Sequence, residues 1–221
     1  MEKRRDSATA YIILADGFET IEALTPLDVL RRCGVEVTTI SLNQTRAVRS
    51  SHGVTVEADA TMEDFMHNCN CCASGTGTGT NTSNAGTSSS AGSSTTASSA
   101  VRQALILPGG YPGYKNLCDS PEVGALITQF HKEGKLLCAI CGAPTALKAN
   151  QICRGAAITC HTSVKEELSD YYSILSSAVV KYMNIITGMG AGRSLDFAFA
   201  IAEALTSKEK VEEIKAKMEI I

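Results

Sequence analysis

Apolar positions fall in short unbroken runs, each followed by a stretch with helical spacing. Ala10-Tyr-Ile-Ile-Leu-Ala15 is the first run; Asp16-Gly17 follows, then a helical pattern to Cys33 that Gly34 stops. A strand apolar at every position is one buried on both faces, and Gly after the last periodic residue is a helix stop. Val35 to Ser41 is short and β-branched, which predicts the return strand of a βαβ unit and so a parallel sheet. Ala47 to Ala58, with Gly53 between Ser-rich and Val-rich pieces, predicts a small hairpin, and Met62-Glu-Asp-Phe65 begins a short helix. Ala104-Leu-Ile-Leu107 is a second buried strand, ending at Pro108-Gly109-Gly110. Ser120 is a good N-cap with Pro121 in the first turn of a helix running to Glu133. Leu136-Leu-Cys-Ala-Ile140 then runs without a loop into the helix start Cys141-Gly-Ala-Pro-Thr-Ala-Leu147. Further strands end at Thr159-Cys160-His161 and at Ile185-Ile186-Thr187, and a last helical pair covers Ser194 to Leu205 and Ser207 to about Met218. This alternation predicts a doubly wound α/β sandwich over residues 1–221, one domain with a mostly parallel sheet.

One stretch breaks the pattern. Every residue from Ala73 to Ala100 is Ala, Ser, Gly, Thr or Asn, so residues 73–100 have no periodicity and cannot bury apolar area. Such a segment is expected to be a disordered, hydrated tether inserted into the domain. Just before it, His67, Cys69, Cys71 and Cys72 put four soft ligands in six positions. A zinc finger or ribbon separates two ligand pairs by a dozen or so residues, and no second pair follows, so this cluster is read as accidental rather than as a metal site.

The net charge of −3 argues against a protein that coats phosphate backbones, so no nucleic-acid partner is expected. The apolar run from Ala8 stops at Asp16, too short to span a membrane or to direct export, and a cytoplasmic location is expected. Nine cysteines, an odd number with several inside strand-like or helix-like runs, read as reduced thiols rather than a disulfide scaffold.

In an open parallel sheet, reactive groups collect beyond the carboxyl ends of the strands. Three such ends carry Gly109-Gly110, Cys141 and His161, and the turn after the first strand carries Glu19 and Glu22. Cys141 stands where a buried strand turns sharply into a helix, the layout of a nucleophile elbow, with small Gly142 and Ala143 permitting the turn. The helix N-terminus is expected to favour its thiolate, and the amides of Gly142 and Gly110 are placed to face a developing oxyanion. Beside an elbow cysteine, His161 is the candidate base. Cys33, Cys118, Cys138, Cys153 and Cys160 read as small buried apolar residues. His67 and His131 read as solvated.

Four segments, Ala15-Asp-Gly-Phe-Glu-Thr-Ile-Glu22-Ala, Leu107-Pro-Gly-Gly110, Ala139-Ile-Cys141-Gly-Ala-Pro-Thr-Ala-Leu147 and Gly190-Ala-Gly192-Arg-Ser-Leu-Asp-Phe-Ala-Phe-Ala200, together closely resemble the DJ-one/ThiJ/PfpI superfamily, in its DJ-one-like branch. The resemblance spans the chain apart from the insert and the extreme termini. It implies a flavodoxin-like fold, a homodimer, and an elbow cysteine, matched by Cys141, whose thiolate is hydrogen-bonded by a protonated glutamic acid, matched by Glu22. It also implies that His161 corresponds to the active-site histidine. The implied activity is cofactor-free and metal-free conversion of a small aldehyde or dicarbonyl, methylglyoxal or glyoxal, to a hydroxy acid, or removal of early glycation adducts. The alternative is an oxidative-stress sensor or redox-regulated chaperone that uses the same Cys141.

The sequence departs from the branch where human-like members carry arginines around a small anion site: here stand His52 and Met189. Gly142 after the nucleophile differs from the histidine of the PfpI-type proteases. The one His-x-Glu triplet, His131-Lys-Glu133, precedes the cysteine, which argues against a class I glutamine amidotransferase.

Loop-closure entropy grows only with the logarithm of loop length, so the insert is expected to be dispensable for folding. Replacing residues 73–100 by a short Gly-Ser turn leaves the thermal midpoint within a few degrees; a collapse in solubility or midpoint contradicts this.

Overall fold

A computed structural model describes residues 8–68 and 102–220. The insert and Cys69, Cys71 and Cys72 lie outside the described residues, so the readings made for them stay as expectations. His67 is exposed, with Nε2 4.0 Å from Glu63 Oε1.

The three most apolar runs form the centre of the sheet. They are β1 (Thr9–Leu14), β6 (Gln103–Leu107) and β7 (Leu136–Ile140). Around them the seven-stranded order is β10-β11-β7-β6-β1-β2-β5, where β2 is Glu36–Ser41, β5 is Ala60–Thr61, β10 is Val179–Tyr182 and β11 is Ile185–Gly188. Every pairing in it is parallel except β10 with β11. Register aligns Ile12 with Ile106, Ile106 with Cys138, and Ile140 with Gly188, so the strand ends stand level. The sheet is mostly parallel and flanked by helices, as expected of a flavodoxin-like fold.

Alternation along each strand explains the unbroken apolar runs, because successive side chains enter different cores. Ala10, Ile12, Leu14, Ala104, Ile106, Cys138 and Ile140 pack with α1 (Thr20–Arg32), α7 (Ser194–Leu205) and α8 (Lys208–Lys217). Ile13, Leu105, Leu107, Leu137 and Ala139 pack on the other face with α3 (Gly113–Asp119), α4 (Pro121–Lys132), α5 (Pro144–Ala149) and α6 (Lys165–Ser169). The cap read at Ser120 is made: its Oγ accepts the Val123 N–H at 3.2 Å. Ser207 caps α8 in the same way, accepting from Lys210.

The expected hairpin forms from β3 (Ala47–Arg49) and β4 (Thr55–Glu57), paired antiparallel, and the short helix α2 spans Met62–Asn68. One assignment needs correction. The run ending at His161 was read as a strand of the main sheet, but only β8 (Ala157–Ile158) is extended there, and it pairs with β9 (Ser173–Ile174) in a separate two-stranded sheet. The Thr159 N–H ties it to the centre, donating to Thr187 Oγ1 of β11 at 2.9 Å.

Phe197 of α7 is fully buried against the first core. Truncating a buried aromatic leaves a cavity as well as a transfer loss, so Phe197→Ala is expected to cost about 3–5 kcal/mol in chemical denaturation. A loss below about 1 kcal/mol contradicts the packing described.

Candidate active site

The ends of β1, β6, β7 and β11 converge at one edge of the sheet, and β1 and β6 are the neighbours where strand order turns back, the place where open α/β sheets hold ligands. Cys141 follows β7 directly. Its φ of 64° is a left-handed conformation, which costs a non-glycine residue roughly 1–2 kcal/mol. The flanking hydrogen bonds hold it there: Cys141 N–H donates to Gly188 O at 3.0 Å, and Ala143 N–H to Ile140 O at 3.0 Å. This is the strained strand-to-helix elbow expected from the sequence.

Two glycines let backbone amides reach the sulfur. A Cβ on Gly142 would lie 2.7 Å from the Tyr114 ring, and one on Gly110, whose φ is 89°, would lie 2.2 Å from Glu19 N. The amides of both glycines hydrogen-bond to the Cys141 sulfur itself.

Glu22 sits in the first turn of α1 and has no exposed surface. Its Oε2 accepts the Gly109 N–H at 2.8 Å, and the carboxyl group hydrogen-bonds with the Cys141 sulfur. Oε1 is buried and has no nitrogen or oxygen partner among the described residues. Burial pushes the Glu22 carboxyl up to about 7, against the pull of its Gly109 and Cys141 hydrogen bonds and with a further push from Glu19. Cys141 is pushed up to about 12, first by burial and then by the charge and hydrogen bond of Glu22, while the Gly110 and Gly142 amides pull it down.

The expectation that the helix N-terminus favours the thiolate is therefore corrected. The helix after the elbow has six residues, and loss of water outweighs what so short a helix offers. The two acids must be considered together. A proton held on Glu22 removes the repulsion and turns the carboxyl into a donor, so thiol–carboxylate and thiolate–carboxylic acid are two arrangements of one shared charge.

His161 is brought to the elbow through its backbone, its N–H donating to Cys141 O at 2.9 Å. The residue is exposed. Its Nδ1 accepts the Ser163 N–H at 3.2 Å and lies 2.8 Å from Ser163 Oγ. An acceptor role at Nδ1 leaves the proton of the neutral ring on Nε2, so this side chain is set as a donor there rather than as the base inferred from the sequence.

Other residues named from the sequence take roles that only the fold assigns. The Gly109 amide holds Glu22, whereas the sequence reading gave an amide role only to its neighbour Gly110. Glu19 Oε2 lies 3.4 Å from His52 Nδ1 and 3.4 Å from Ser51 Oγ, and His52 is exposed. Met189 follows β11, half-buried, its N–H donating to Ala178 O.

Comparison with known proteins identifies the family. Residues 8–204 match the profile of the DJ-1/PfpI family. Protein dj-1beta of Drosophila melanogaster is 32% identical over 209 residues, covering 94% of this chain and 95% of that protein. The crystal structure of Drosophila melanogaster DJ-1beta superposes with a TM-score of 0.79 at 31% identity, covering 97% of this chain and 99% of the other. A shorter match, 38% identical over 107 residues and covering 48% of this chain and 56% of its counterpart, is to the glutathione-independent glyoxalase DJR-1.2 of Caenorhabditis elegans. On the strength of the profile match and of relatedness along nearly its whole length, the chain belongs to the DJ-1/PfpI family.

Proposed function

We propose that the protein converts small dicarbonyls to hydroxy acids without a cofactor, with Cys141 as nucleophile. The observation that carries this reading is the buried pair: a sulfur faced by two amides and by the carboxyl of Glu22, which has no exposed surface and accepts the Gly109 N–H. Membership in a family that includes a protein named as a glutathione-independent glyoxalase supports it.

With methylglyoxal, the Cys141 sulfur adds to the aldehyde carbon and the aldehyde oxygen takes a proton, giving a hemithioacetal. Negative charge leaves the sulfur for that oxygen, and the Gly110 and Gly142 amides follow it. Glu22, as carboxylate, removes the C–H proton of the former aldehyde carbon, the hydroxyl proton of that carbon passes to the neighbouring oxygen to give the enediol in its other ionised form, and Glu22 returns its proton to the neighbouring carbon. The result is a thioester, and water cleaves it to the hydroxy acid and restores the thiol. No external oxidant enters, because one carbon is oxidised as its neighbour is reduced. His161 donates from Nε2 to the second carbonyl oxygen.

A second reading, a peroxide sensor acting through Cys141, draws support from the same pair. Oxidation of the sulfur needs only a thiolate and a donor, and no base at the position of His161. We further place the chain in the cytoplasm as a homodimer. Its described cysteines are all free thiols, no described helix is long and apolar enough to cross a membrane, and Ile21, Val54 and Leu195 expose apolar surface that a second copy would cover.

Purified protein with methylglyoxal and no glutathione tests the reading. Cys141→Ser is expected to abolish turnover with the fold intact, and Glu22→Gln to lower it by about 10²-fold or more while alkylation of Cys141 persists. His161→Ala lowers turnover and leaves Cys141 open to alkylation. Full activity in Cys141→Ser overturns the assignment, and unchanged turnover in Glu22→Gln leaves the sensor reading ahead.

A further inference from the structure

Two tyrosines flank the amides that face the Cys141 sulfur, and neither takes part in the proton transfers. The face of the Tyr114 ring lies on Gly142: a Cβ built there would meet ring carbons Cδ1, Cγ and Cε1 at 2.7, 2.8 and 2.9 Å. Tyr114 is half-buried, with Lys115 Nζ 5.4 Å from its ring centroid. Tyr111 follows Gly110 directly and is 72% exposed. Its ring centroid stands 6.3 Å from that of Tyr114, with the planes tilted by 57°.

The backbone beneath the exposed ring is fixed. Tyr114 N–H donates to Gly110 O at 2.9 Å, and the segment lies so close on the turn after β1 that a Cβ on Gly17 would collide with Pro112. A large aromatic side chain held in water on such a backbone adds little to either core, while covering it is favourable for a ring that stacks there. Aromatic rings pair in tilted as well as offset arrangements at centroid distances of about 4.5–7 Å, so Tyr111 and Tyr114 make one such pair and form two sides of an aromatic corner. Apolar and aromatic walls around a few fixed polar groups are the make-up of small-molecule sites, and here the polar groups are the amides of Gly110 and Gly142.

We infer that Tyr111 and Tyr114 form a subsite for the side chain of an aryl-substituted dicarbonyl, of which phenylglyoxal is the simplest. The inference rests on the dicarbonyl reading of Cys141 and adds to it the class of substrate. Once the sulfur has bonded the aldehyde carbon, the substituent on the ketone carbon begins only one atom further on, within reach of residues that flank the two amides. A methyl group at that place leaves Tyr111 in water; a phenyl ring covers it and pairs with it. The chemistry keeps its balance: the aldehyde carbon is oxidised to the carboxyl, the ketone carbon is reduced to the carbinol, one water is consumed and mandelate leaves. Tyr111 is a specificity residue, touching the substituent and not the reacting carbons.

Alkylation of Cys141 tests the subsite without requiring turnover. Phenacyl bromide and bromoacetone differ only in phenyl against methyl; each loses bromide as the sulfur bonds its methylene carbon, and the Cys141 adduct is followed by mass spectrometry. Because the ratio of the two rates is compared between proteins, intrinsic reagent reactivity and any change in the thiol cancel. That ratio, phenacyl bromide over bromoacetone, is expected to fall about tenfold in Tyr111→Ala and to be kept in Tyr111→Phe. In steady state, the ratio of kcat/KM for phenylglyoxal over methylglyoxal, followed as mandelate and lactate, is expected to fall by a similar factor in Tyr111→Ala, through KM for phenylglyoxal. If neither dicarbonyl is converted while the alkylation ratio falls, the dicarbonyl reading fails and the aromatic subsite stands. An alkylation ratio unmoved by Tyr111→Ala overturns the inference, whether or not methylglyoxal is converted.

Discussion

A carboxyl group with no access to water, pressed against a sulfur, is the constraint around which this sheet edge is built. Burying Glu22 opposes its ionisation, and every neighbouring feature answers to that. Gly109 offers an amide to one oxygen, and Gly110 must be a glycine because the chain of the first turn passes over it. Cys141 accepts a strained backbone so that its sulfur meets the carboxyl and two amides together. Strain at one residue is tolerable because β7 lies in the middle of the sheet, with both faces buried and neighbours hydrogen-bonded on either side.

The arrangement carries a stability consequence of definite sign. Unfolded, Glu22 ionises near its ordinary value of 4.5; folded, it holds its proton to about 7. The unfolded chain therefore releases this proton first as pH rises, and the folded state loses stability between those two values. At about 1.4 kcal/mol per pH unit, the loss is on the order of 3 kcal/mol once both forms are ionised. Holding a carboxylic acid beside a nucleophile near neutral pH thus costs stability that the two cores must offset.

Much of this was legible in the sequence because it rests on local pattern. The strand-to-helix junction at Cys141 is visible as an apolar run ending in Cys-Gly-Ala-Pro, and β1, β6 and β7 as runs too uniformly apolar for anything but a sheet covered on both sides. Features that depend on where segments meet were not legible. His161 looked like the end of a central strand, yet only two residues of that run pair, and they pair with β9. The ionisation of Cys141 was read from its helix and, through the family resemblance, from Glu22, while burial is the first cause of the outcome. His131 has the position of a solvated helix-end residue, and only the fold places its ring against Cys153.

The account stands or falls on which atom keeps its proton near neutrality. Infrared difference spectra of the wild type against Glu22→Gln, followed from about pH 5 to about pH 9, isolate the protonated-carboxyl stretch of Glu22 from all other acids. The account predicts that this band persists in mildly acidic solution and disappears with a midpoint near 7. A band already lost near pH 4.5, the ordinary glutamate value, would mean that Glu22 faces the sulfur as a carboxylate throughout, and the shared-proton pair would not exist.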